Sequence, residues 1–120
     1  MFRGYTYEKV LILVIVLVLS LSLSVYAHPP GKIEMFFNAE NNMLEVTVTH
    51  NSNNISDHYV NNVTVRLNDD QNIEHSFITQ TDQNIQYLHY MIPGAESEDT
   101  ITLTAECSKF GSREKKITVE

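Results

Sequence analysis

The chain has 120 residues and a formal net charge of −7, with 8 basic side chains against 15 acidic ones. An acidic surface of this kind repels nucleic acid and anionic lipid, which removes both from the partner classes. One cysteine excludes an intrachain disulfide, and the length allows a single small domain.

The first stretch reads as a targeting segment. Arg3 and Lys9 make a positive start, residues 10–25 form an apolar run broken only by serines, and Val25-Tyr26-Ala27 puts small residues at the two positions a signal peptidase reads. This predicts a signal peptide over 1–27 and a mature domain over 28–120, placed outside the cytoplasmic membrane as a secreted, cell-surface or periplasm-like protein. The alternative is an uncleaved anchor, the only reading that makes a membrane a partner. The apolar run is near the short end of a bilayer span, roughly 17–25 residues. Cleavage would remove Arg3, Glu8 and Lys9, leaving 6 basic against 14 acidic side chains from the 8 and 15 of the whole chain. Small exported domains commonly rely on disulfides, so a lone thiol there must be buried, metal-bound or paired with a second chain, as in a homo-oligomer. Asn54-Ile55-Ser56 and Asn62-Val63-Thr64 match the glycosylation pattern of an exported surface.

From residue 28 onward, short β-rich runs alternate with Asn, Asp, Gly and Ser clusters. That spacing predicts seven strands, over 33–38, 43–49, 59–67, 73–79, 85–91, 100–107 and 114–119, in an all-β, immunoglobulin-like antiparallel sandwich. Leu44, Val46 and Val48 share one face of the second strand. Ile101, Leu103 and Ala105 do the same in the sixth, and Val63, Val65 and Leu67 in the third. Asn41-Asn42 suits a tight hairpin turn, and Pro93-Gly94 marks another.

Phase and direction then place the chemistry. His50 continues the inward face of the second strand, and Cys107 that of the sixth. If successive strands alternate in direction, His28 ahead of strand one, His50 after strand two, His58 before strand three and Cys107 at the end of strand six all lie at one pole. The same counting puts His75 and His89 at the other. Imidazole and thiolate donors together suit iron, copper or zinc. The competing readings are structural: Cys107 as a small buried hydrophobe, His50 as a polar strand cap, His58 as a loop residue packed by Tyr59. Asp57 is either a partner that orients His58 or a solvated loop acid. The chain has no Gly-rich phosphate loop, Cys-x-x-Cys or HExxH. The loop after Cys107 lacks the His and Met of a blue-copper site.

Three segments, in order, resemble the ferrous-iron domain of the desulfoferrodoxin and neelaredoxin family, the superoxide reductases. His28-Pro29-Pro30 resembles the family's early His-x-Pro. His50…His58-Tyr59-Val60 resembles its paired histidines around a short loop. Cys107-Ser108-Lys109-Phe110-Gly111 resembles its late Cys-Asn-x-His-Gly. The likeness spans essentially all of 28–120. It implies a seven-stranded sandwich holding one iron, cycling between Fe2+ and Fe3+, with His28, His50, His58 and Cys107 as ligands. It also implies reduction of superoxide opposite Cys107 and an electron-donor protein as partner. Two departures stand out: Phe110 replaces the family's fourth histidine, and the Glu-Lys ahead of its first histidine is absent. A His28 exposed by cleavage would restore one nitrogen through its α-amine, and amine plus imidazole also favours copper. The alternative is therefore a copper or iron binding and delivery module. A third expectation is a metal-free adhesion domain.

Overall fold

In the computed structural model, residues 2–21 and 28–120 are described; the cleavage segment ahead of His28 lies outside them. Phe2–Leu21 forms a helix, α1, followed by seven strands: β1 Ile33–Asn38, β2 Met43–Thr49, β3 Val60–Leu67, β4 Gln71–Ser76, β5 Ile85–Met91, β6 Thr100–Cys107 and β7 Ser112–Thr118. The apolar side chains of α1 are exposed from Val10 to Leu19. Its first half carries Arg3, Glu8 and Lys9, and among the described residues no helix is long and apolar enough to cross a membrane.

The strands form two antiparallel sheets, ordered β1-β2-β5 and β4-β3-β6-β7. Hairpins join β1 to β2, β3 to β4 and β6 to β7, and the remaining connections cross between sheets. Period-2 alternation drives the layering, because each strand can bury only one face. Leu44, Val46 and Val48 of one sheet and Val63, Val65, Ile101, Leu103 and Ala105 of the other make the centre of the core. Among the described residues, the buried members of that core fall between Ile33 and Val119.

Turn chemistry fixes the strand ends. Asn42 takes φ 56° in the β1–β2 turn, a conformation asparagine tolerates better than most residues. Asn68, at φ 52°, turns the chain directly after Leu67, so β4 begins at Gln71 and ends at Ser76 instead of covering 73–79. Gly111, at φ 81°, closes the β6–β7 hairpin with its carbonyl accepting from Cys107 N at 2.9 Å, and β7 therefore starts at Ser112 rather than at 114. In β3, Val60 pairs with Cys107 but Asn62 pairs with Glu106, leaving Asn61 as a bulge. The extra residue turns Val60 inward alongside Val63, an orientation strict alternation would deny it.

Candidate metal centre

Three side chains converge at the pole where β2 ends, β3 begins and β6 ends. The donor atoms of His50, His58 and Cys107 all lie within 4.8 Å of one another.

His50 follows β2 directly and is 1% exposed. Its backbone N–H donates to Asn84 O at 2.9 Å. Its Nδ1 lies 2.8 Å from Gln80 Oε1, and that oxygen also accepts from Val60 N at 3.2 Å. The amide nitrogen of Gln80 donates to His50 O at 2.6 Å and to Asp82 O at 2.9 Å. This network fixes the amide: flipping it would aim NH2 at the Val60 N–H and the oxygen at two carbonyls. Gln80 Oε1 can only accept, so His50 Nδ1 carries a proton, and in the neutral ring the lone pair is therefore on Nε2. Among the described residues, that Nε2 is buried and has no hydrogen-bond partner.

His58 ends a loop, residues 51–58, that is folded by its own Ser and Asn residues. Asn54 O accepts from Asp57 N at 3.1 Å and His58 N at 2.8 Å, Asn54 Oδ1 accepts from Ser56 N at 3.1 Å, and Ser52 Oγ donates to His58 O. These bonds aim the ring at the core end of β6, where His58 Nε2 lies 3.1 Å from Cys107 Sγ. Burial holds the His58 pKa below its ordinary 6.5, aided by the neighbouring charges of His50, His28 and Lys109 and opposed by Asp57. The neutral ring, the form that can ligate a metal, is thus favoured near neutral pH.

Cys107 is buried at the last position of β6. Its sulfur accepts from Lys109 N at 3.4 Å. The loop that follows is tied to the His58 loop. Ser108 Oγ accepts from Tyr59 N at 3.0 Å and donates to Asp57 O at 3.1 Å, while Lys109 Nζ pairs with Asp57 Oδ1 at 2.9 Å. The Asp57 carboxylate therefore serves this exposed ion pair, not His58.

His28 stands on the open side. Its ring is 5.4 Å from that of His50 and 5.3 Å from that of His58, whose own rings are 4.6 Å apart, edge to face. Its Nδ1 lies 3.2 Å from Pro29 O, and the side chain is exposed. The segment behind it is pinned at three points. Arg113 Nε donates to Pro30 O at 2.7 Å, Gly31 N donates to Thr49 O at 2.6 Å, and Pro29 packs on Gly111 so closely that an added Cβ would come within 2.9 Å of it. A cleft of about 420 Å³ opens beside the ring, lined by His28, Asn51, Ser52, Asn53, Asn54 and His58.

The other two histidines stay outside. His89 pairs with Glu45 and meets Tyr87 edge to face, toward the far end of the sandwich. His75 is not at the far pole: the earlier start of β4 sets it opposite Val63, with Tyr90 OH at 3.2 Å from Nδ1. Phe110 is 62% exposed and turned to solvent. Gln80 is the functional residue that sequence reasoning missed. A lone glutamine in a polar loop carries no signal, and only the fold brings it to His50.

An orphaned, buried lone pair beside an imidazole and a thiol fits a transition metal: two borderline donors and one soft one, in a group of the right size. The chain matches no family model and no curated protein sequence, so the donor set itself carries the functional reading.

Proposed function

We propose that this chain is an exported mononuclear metal protein of superoxide-reductase type, with iron held by His50, His58 and Cys107 and by His28 from the open side. The observation that carries this reading is the buried, unpartnered Nε2 of His50. Leaving such an atom unsatisfied costs about 1–3 kcal/mol, and a metal bond removes that cost. The iron would supply one-electron chemistry, made more electron-rich by the Cys107 sulfur. The protein's residues do the rest. Gln80 presents His50 in the correct tautomer, the Ser52–Asn54 loop aims His58, and the Lys109 N–H moderates the charge on sulfur. The reaction consumes one superoxide, one electron from a donor protein and two protons, and yields one hydrogen peroxide.

A second reading, a copper or iron carrier without turnover, is favoured by two features of the Cys107 loop. Phe110 faces solvent where the resembled family has a ligand, and the Lys109 ammonium is engaged by Asp57 instead of standing free to attract an anion.

Iron-loaded protein should show a sulfur-to-iron charge-transfer band and consume superoxide when given a reductant. Cys107→Ser should abolish both. A band that survives the substitution refutes the ligand set, and a band without superoxide consumption selects the carrier.

A further inference from the structure

We propose that the centre is switched on by proteolysis: a cut between Ala27 and His28 creates an α-amine that, together with His28 Nδ1, chelates the metal held by His50, His58 and Cys107. This inference rests on the metal reading of those three residues and adds how the site is regulated.

While residue 27 is attached, the nitrogen of His28 is an amide whose lone pair is delocalised into the carbonyl, and it is no donor as long as it keeps its proton. The cut converts it into a primary amine. Amine and Nδ1 belong to one residue and close a chelate ring through Cα, Cβ and Cγ. Among the described residues, engaging Nδ1 gives up its exposed contact with Pro29 O.

Among the described residues, the hold on His28 comes from the chain that follows it. The pins on Pro29, Pro30 and Gly31 all lie on the C-terminal side of His28 and survive the cut. The ring already stands over both other imidazoles. A new terminus anchored in this way loses little freedom on binding, which is the condition for a strong chelate.

The sequence after the cut narrows the binding mode further. A free peptide terminus commonly captures Cu(II) or Ni(II) by giving up successive backbone amide protons, which draws the ion along the main chain. Here the next two residues are Pro29 and Pro30, and neither has an N–H to give up. The only nitrogens His28 can offer are its amine and its imidazole. The ion must complete its shell from the other side of the pole, where His50, His58 and Cys107 wait. The unprocessed chain, lacking the amine, holds metal weakly in the compartment where it is made.

Co(II) is a suitable probe, because it tolerates thiolate and its charge-transfer band reports Cys107. Three chains would be titrated: residues 1–120, residues 28–120 starting at His28, and the latter with one glycine added ahead of His28. The chain starting at His28 should bind about 100-fold more tightly than the other two, as expected when a second donor becomes intramolecular. His28→Ala in that chain should erase the advantage. Urea midpoints of the two short chains should agree, since they differ only at an exposed end. Equal affinities, with the charge-transfer band present in all three, overturn the inference and leave the proposed function standing. Absence of the band from all three overturns both. The inference also fails if protein recovered from its source does not begin at His28.

Discussion

Gln80 shows how much of this centre's chemistry depends on a residue that would touch no metal. Its four hydrogen bonds set which nitrogen of His50 is free, and they join the ends of β2 and β3 to the loop before β5. Gln80→Leu removes the acceptor for His50 Nδ1 and strands the buried His50 carbonyl. The Val60 N–H loses its acceptor as well, and with about 1–3 kcal/mol for each buried polar group left unmade, stability should fall by at least about 2 kcal/mol. Co(II) affinity should fall on the order of 10–100-fold as the tautomer is released. Urea unfolding and metal titration check the two effects, and an unchanged affinity would show that His50 needs no such lock. At this scale the residue types were legible: histidine and cysteine advertise their chemistry wherever they stand. Their partners were not. Asp57, next to His58 in sequence, pairs with Lys109, whereas Gln80, thirty positions from His50, does the orienting.

Among the strands, alternation was legible wherever it ran unbroken, as in β2 and β6, and it correctly aimed His50 and Cys107 inward. It misled where the backbone departs from it. The Asn61 bulge restores Val60 to the core, and no pattern of apolar residues announces it. The early turn at Asn68 shifted β4 and carried His75 with it. The β6–β7 hairpin shows an element serving the site at a distance. Gly111 both takes a left-handed conformation and makes room for Pro29. Gly111→Ala should cost about 1–2 kcal/mol for the backbone alone. It should also push Pro29 aside and tilt His28 off the pole. The loss in metal affinity should therefore disappear when Gly111→Ala is made in a His28→Ala background, whereas the stability loss should persist. Additive affinity losses would mean that Gly111 does not act through His28.

Across the whole molecule, strand parity foresaw the convergence of His50, His58 and Cys107 because an antiparallel sandwich leaves a strand end few places to go. Parity counts directions and not distances, so it could not separate the three donors in contact range from His28 at the rim. If the three close on a metal, binding stabilises the fold by mass action. Zn(II) at about 100 times its Kd should add about 2.7 kcal/mol. For a domain of this size that is roughly 10–20 °C in melting temperature, reversed by a chelator. An unchanged melting temperature would leave the His50 lone pair unexplained by metal. His58 and Cys107 also lie 49 positions apart in the chain while their donor atoms are 3.1 Å apart. A pair so remote in sequence meets rarely in an unfolded chain and is held together once β3 and β6 have paired. If the site takes a metal, tight capture therefore follows the pairing of β3 with β6, and a captured ion reports that the sandwich has formed at this pole.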